Sequence, residues 1–306
     1  MLIGRMKSLP IYNTDYQNQI EHFRAYLRAI GLNEGSQNML PSCIREFLHQ
    51  IEKQGIRQIQ NVQQNQIQNH YEYLQHRPNQ RRAGNLSNSM LNHHMYAIRK
   101  FFTYLEQTNT ITTNPTSNLE FKRLKSKERD ILTTEEIKLL YQTAETLREN
   151  AILGIFYGCG LRRTEGEKLN INDINLKTRL LYVREGKGKR RRVIPINKQV
   201  NEDFKNYLYC ERGEYITTKS PKNAFILNKK GNRMSGSSYN DTLKEIIQRT
   251  GNKELQAKGI SLHKLRHSIA THLLENGLPV EYVRDFLGHQ YLEATQIYTH
   301  VNLKKL

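Results

Sequence analysis

Ser261-Leu262-His263-Lys264-Leu265-Arg266-His267-Ser268 opens a run whose apolar spacing predicts a helix to Glu275, stopped by Gly277. His263 and Arg266 stand three apart, a spacing that puts both on one face of that helix. Pro279 opens a second helix that ends near Gly288. The chain then continues His289-Gln290-Tyr291-Leu292-Glu293-Ala294-Thr295-Gln296-Ile297-Tyr298-Thr299-His300-Val301, with a last helix expected to carry Ala294 to Tyr298. Two short helices that end in cations and a tyrosine make a polar site at the end of a helical domain, and the rest of the chain can be read outward from it.

Upstream lies Tyr157-Gly158-Cys159-Gly160-Leu161-Arg162-Arg163-Thr164-Glu165, in which Arg162 is the candidate anion ligand. The one good hairpin signal follows. β-formers at Leu180-Leu181-Tyr182-Val183 and from Arg190 to Ile196 flank a Gly-rich turn that holds Lys187. Arg163 should point away from Arg162 on a helix, and Lys189, Arg190, Arg191 and Arg192 crowd Lys187 as rival phosphate ligands. Further back, Thr133 and Glu136 form a capping box that starts a helix whose buried face begins at Ile137, Leu140 and Ala144.

Residues 108–130 contain Pro115 and the charged run Lys122-Arg123-Leu124-Lys125-Ser126-Lys127-Glu128-Arg129-Asp130, which is linker composition. Before it, Tyr16, Ile20, Phe23, Leu27 and Ile30 make one apolar stripe that stops at Gly31. A second helix runs from near Glu34 to Gln54. Residues 58–76 read as a polar-faced helix carrying Ile59, Val62, Ile67, Tyr71 and Leu74, with a basic turn at residues 77–82 after it. Leu91, Met95, Ile98, Phe102 and Leu105 form another stripe. Four such helices with short connections make a compact bundle. The sequence therefore predicts a mainly α protein. Residues 1–112 are a helical bundle, 113–130 a basic linker, and 131–306 a mixed, mostly helical domain with a small β-sheet or hairpin.

The 306 residues are long enough for two cores. The formal net charge is +18, from 47 Lys plus Arg and 29 Asp plus Glu, which attracts polyanions, nucleic acid foremost among them. Residues 1–120 hold 12 basic and 8 acidic side chains, a balance of +4; the remaining 35 and 21 leave +14 downstream. The second part is thus the stronger polyanion binder. Cys43, Cys159 and Cys210 are far apart with no C-x-x-C pair, so a zinc ribbon or disulfide scaffold is unsupported. No signal-peptide run follows Met1, and no stretch approaches the ~20 apolar residues of a membrane span. The expectation is a cytoplasmic protein with no membrane partner.

Several chemistries fail on spacing. Gly186-Lys187-Gly188 lacks the P-loop pattern. His263 and His267 are four apart, but Lys264 stands where a zinc protease needs Glu. No dense Asp/Glu cluster marks a two-metal nuclease, so neither a metal nor any other cofactor is expected. What remains is a set of cations without carboxylate ligands for a metal.

The motifs GCGLRRTE, GKGKRRRVIP, LHKLRHSIATHLL and LGHQYLEATQIYTHV, in that order and with Tyr298 nine residues beyond His289, resemble those of the tyrosine recombinase and phage integrase family. That group includes the bacterial chromosome-dimer resolution recombinases. The likeness spans roughly residues 131–301, and the first helical part resembles the family's core-binding domain. The resemblance implies that Arg162 is the first catalytic arginine, Lys187 the hairpin lysine, and His263 with Arg266 the histidine and second arginine of H-x-x-R. His289 falls at the position of a histidine or tryptophan, and Tyr298 at the nucleophile. Glu165 is implied to support Arg162, and His267 to support the site.

The chemistry agrees with those residue types. A phosphodiester gathers negative charge on its non-bridging oxygens in the transition state, and guanidinium forks match them. Tyrosine keeps its proton near neutral pH, so a basic group must help it attack. Lys187 can protonate the departing 5′-oxygen, and a 3′-phosphotyrosyl bond conserves the energy for rejoining. The resemblance implies a metal-independent, site-specific DNA recombinase that works as a tetramer on two duplexes with specific recombination sites. Two other readings stay open at this level: a type IB-like topoisomerase that reseals the same strand, and a DNA-binding regulator that kept the fold without catalysis. Only Thr299 to Leu306 follow Tyr298, so a C-terminal helix donated to a neighbouring subunit is expected to be very short.

Overall fold

The computed structural model describes residues 9–79, 83–119, 130–184 and 191–288. Lys187, His289, Tyr298 and the expected last helix lie outside the described residues. The chain divides into two compact units, Met1–Glu128 and Arg129–Leu306. The fold is mainly helical, with a small three-stranded antiparallel sheet.

The first unit holds α1 (Thr14–Ala29), α2 (Glu34–Lys53), α3 (Gln64–His76) and α4 (Asn88–Gln107). Side-chain oxygens of Asn13, Asn33 and Ser87 accept from backbone N–H groups at the starts of α1, α2 and α4, satisfying donors that helix geometry leaves unpaired. Tyr16, Ile20, Phe23 and Leu27 are fully buried, and Phe23 meets Phe101 of α4 edge-on at 5.2 Å. Ile30 departs from the predicted stripe. It follows the last helical residue as the C-cap, and it is 41% exposed.

The expected helix over 58–76 is also two pieces. Ile59–Asn61 is a 3₁₀ turn, and α3 begins only at Gln64. Ile59 in that turn and Val62 just after it are both buried.

Arg77, the first residue of the predicted basic turn, is the C-cap of α3 and is buried. Its Nε lies 2.6 Å from Glu46 Oε1, and its Nη2 donates to Oε2 at 3.0 Å.

In the second unit, Thr133 and Glu136 close the predicted capping box on α5 (Thr134–Thr143). The helix ends before Ala144, which only lines the core edge. α6 (Leu147–Leu153) runs into a π-helical turn at Gly154–Gly158, and α7 (Arg163–Lys168) follows. Strands β1 (Ile174–Asn175), β2 (Leu180–Val183) and β3 (Arg192–Pro195) lie in sequence order. The register pairs Leu181 with Ile194 and Val183 with Arg192, so β2 and β3 form the expected hairpin and β1 is an unanticipated edge strand. Helices α8 (Lys198–Asn206), α9 (Gly236–Arg249), α10 (Lys253–Ala257), α11 (Leu262–Glu275) and α12 (Val280–Leu287) complete the unit.

Close approach shapes this core. A Cβ at Gly158 would stand 2.5 Å from Val200 Cγ2, and one at Gly166 would stand 2.6 Å from Phe156 Cζ. The glycines therefore let α8 and α7 press against the π turn.

Helix α11 also receives the start of the unit. Leu132 N donates to Ser268 Oγ at 2.8 Å, and His272 Nε2 donates to Leu132 O at 2.9 Å. Since Nε2 carries that proton, Nδ1 accepts from the Tyr157 hydroxyl at 3.0 Å. Both backbone groups of a fully buried residue are thereby satisfied by two side chains one turn apart.

Replacing Glu46 with Ala should leave the Arg77 guanidinium buried without its counter-charge. We expect a loss of about 3–5 kcal/mol in urea unfolding, the cost of breaking a buried pair from one side. A change below about 1 kcal/mol, the worth of a surface pair, would refute this assignment.

Candidate active site

Glu165 is the hub of the site. It lies on α7, is 5% exposed, and meets three guanidinium groups from three elements. Arg162 Nη1 donates to its Oε1 at 2.8 Å, and the Arg162 backbone N–H donates to its Oε2 at 2.8 Å. Arg192, on β3, forms a fork: Nη1 to Oε1 at 2.9 Å and Nη2 to Oε2 at 2.8 Å. Arg266, on α11, brings Nη1 to 4.0 Å from Oε2. Burial alone would raise the Glu165 carboxyl. The hydrogen bonds and charge of Arg192, then those of Arg162, overcome this and hold it at about 2.

The same three arginines also grip the end of α12. The last carbonyls of a helix have no partners within it. Here Arg192 Nε donates to Phe286 O at 3.0 Å, Arg266 Nη2 donates to Leu287 O, and Arg162 Nη2 donates to Gly288 O at 2.8 Å. Three successive carbonyls thus each receive a cation, at the helix end where partial negative charge accumulates. Arg266 Nη1 also donates to Gly160 O.

Two glycines make the grip possible. Gly160 has φ +56°, a left-handed conformation that turns its carbonyl toward Arg266. Gly288 ends α12 at φ +63°, and a Cβ there would stand 2.9 Å from Arg192 Cδ.

The predicted residues divide into two groups. Arg162, Glu165 and Arg266 are brought together. Arg162 is the N-cap of α7, in extended backbone, and not a residue on a helix as expected. Its side chain is 22% exposed, against 3% for Arg266, so Arg162 is the more accessible to a ligand. His263, in the first turn of α11, is exposed and stacks edge-on with buried His267, centroids 4.2 Å apart. Lys187, His289 and Tyr298 are outside the described residues, Lys187 in the loop between β2 and β3 and His289 next after Gly288.

Sequence reasoning placed Arg192 among rival phosphate ligands; its side chain is instead 9% exposed and committed to Glu165. The period-2 rule held the signal: Arg192, Ile194 and Ile196 share a strand face, and Ile194 and Ile196 are buried. Among the described residues, no group of three His, Cys, Asp or Glu side chains could hold a metal, and no helix is long and apolar enough to cross a membrane. The three cysteines are free, and burial pushes Cys159 up to about 12.

Comparison with known proteins places this arrangement. The phage integrase family pattern matches residues 130–305. A tyrosine recombinase XerC from Natranaerobius thermophilus is 36% identical over 217 residues, covering 69% of this chain and 71% of that protein. The chain belongs to the phage integrase family. It is a tyrosine recombinase, an enzyme of site-specific recombination by tyrosine-mediated cutting and rejoining of DNA. A tyrosine recombinase XerC 2 from Ralstonia nicotianae is 29% identical over 93% of this chain and 82% of its own. The fold also matches that of XerH site-specific recombinase in a post-cleavage complex, with a TM-score of 0.70 at 19% identity over 99% of this chain and 91% of that one.

Substituting Glu165 with Gln tests the hub. A carboxyl held near 2, below its ordinary ~4.3, adds stability that is fully present above the ordinary value and lost as pH falls through the folded one. The Tm gap between wild type and the variant should be constant above about pH 5 and narrow as pH falls toward 2. A gap that does not change with pH would show that Glu165 does not carry this charge pairing.

Proposed function

We propose that the arginine cluster receives the scissile phosphate of double-stranded DNA and that Tyr298 attacks it. The supporting observation is the convergence of Arg162, Arg192 and Arg266 on one carboxylate: three positive charges against one leave a net cationic site. Arg162 and Arg266 would contact the non-bridging oxygens. Preorganised donors of this kind contribute several kcal/mol each where charge develops.

In this reading the Tyr298 oxygen forms a bond to phosphorus as the bond to the 5′-oxygen breaks. His263 takes the tyrosine proton, Lys187 delivers one to the departing 5′-oxygen, and His289 hydrogen-bonds the phosphate. Glu165 orients Arg162, and His267 supports His263. Attack by a 5′-hydroxyl from another strand reverses the step and releases Tyr298, so no energy source is consumed and no metal is needed. Two duplexes and four protomers would supply the strands to be exchanged.

The charge of +18 supports a DNA partner. The likeness in fold to XerH site-specific recombinase, solved bound to palindromic difH substrate, supports the same partner.

The test is to trap protein–DNA adducts on nicked duplexes derived from chromosomal fragments and to map the cut positions. Tyr298→Phe should abolish the adduct while leaving DNA affinity within about 2-fold, and chelators should not slow cleavage. Adduct formation by the Phe variant, or loss of cleavage on chelation, would overturn the mechanism. Relaxation of supercoils without exchange between two mapped sites would favour a topoisomerase.

A further inference from the structure

We propose that Arg192 is a positioning residue for cleavage, acting through Glu165 to set Arg162 while tying the root of the hairpin to the end of α12. This rests on the recombinase reading above. Three observations carry it. Arg192 is the first residue of β3, paired opposite Val183, and it follows in sequence the stretch between β2 and β3 that includes Lys187. Its fork occupies both oxygens of the carboxylate that also binds Arg162. Its Nε holds Phe286 O, and its aliphatic stem lies against Gly288, where any larger residue would collide with it. One buried guanidinium therefore joins the hairpin, the first arginine's partner and the helix that leads into His289.

Arg192 does not touch the DNA in this account. Its Nε, Nη1 and Nη2 are directed at Phe286 O and the two Glu165 oxygens, and holding these is the role assigned to it. A lysine in its place would keep a charge near Glu165 but could not span both carboxylate oxygens and the Phe286 carbonyl at once.

Loss of the fork should also alter how cleavage responds to pH. Glu165 faces Arg162 from the start of α7, Arg192 from β3 and Arg266 from α11, while Lys168 and Asp173 line the adjoining cleft. Without Arg192, burial is opposed mainly by Arg162, and the carboxyl protonates at a higher pH. A protonated Glu165 holds Arg162 less firmly.

The experiment measures single-turnover adduct formation by the full chain on a nicked duplex carrying the mapped site, from pH 5.5 to 8. It compares wild type, Arg192→Ala, Arg192→Lys, Glu165→Gln and the Arg192→Ala/Glu165→Gln double variant. Circular dichroism melts confirm that each is folded. Arg192→Ala should cleave about 10²-fold more slowly, the scale of a 1 Å misplacement, with DNA affinity within 2-fold of wild type. Its acid limb should lie at higher pH than the one His263 gives wild type. Arg192→Lys should recover part of the rate and move that limb back toward wild type. The double variant should be no slower than the slower single variant, as expected for residues in one network.

Wild-type cleavage rates in Arg192→Ala, or losses that multiply in the double variant, would overturn the proposal. If Arg192→Ala does not fold, Arg192→Lys carries the test, and a wild-type rate there would overturn it equally. Failure of wild type to form any adduct would instead sink the recombinase reading, and this inference with it.

Discussion

Three carbonyls at the end of α12 and one buried carboxylate on α7 are held by the same three guanidinium groups. The second unit's site depends on this arrangement. Like charges this close repel, and burial penalises each of them. Glu165 supplies the counter-charge, and the unpaired carbonyls supply acceptors that cost nothing elsewhere, since a helix end must find partners in any case. The arginines are thereby fixed in place by protein acceptors.

The surrounding fold serves that geometry. Gly160 and Gly288 adopt left-handed backbone that a residue with a Cβ resists, and each turns a carbonyl toward an arginine. The π turn before Gly160 packs Gly158 on Val200 of α8 and Phe156 on Gly166 of α7, with no room for a side chain at either glycine. Ser268 and His272 anchor Leu132 from α11, the helix that carries His263 and Arg266. The motif that reads as catalytic is thus also structural on its other positions.

Much of this was legible in the sequence. Apolar stripes located α1 and α4, the bounds read for α2 and α11 hold to within a residue, and the capping box at Thr133 fixed the start of α5 to the residue. The hairpin was visible in its β-formers and turn, whereas β1 is only two residues and leaves no periodic trace. The departures have local causes. Ile30 follows the stripe but falls one residue past the helix, and the 58–76 segment opens with a 3₁₀ turn before α3 begins at Gln64. Arg77 and Arg192 each stand in a basic run, and neither run shows the acidic partner that buries its arginine. Glu46 and Glu165 are 31 and 27 residues away from them, distances that pattern reading does not bridge. Strand alternation nonetheless pointed Arg192 inward.

The central claim is that this cation cluster presents a DNA phosphate to Tyr298. Mass spectrometry of the covalent complex, after nuclease trimming and proteolysis, tests it most directly. The account predicts a single modified peptide spanning Tyr298, with a nucleotide attached through its 3′-phosphate to the tyrosine oxygen. A 5′-phosphate linkage, or attachment to any other of the 17 tyrosines, would contradict it.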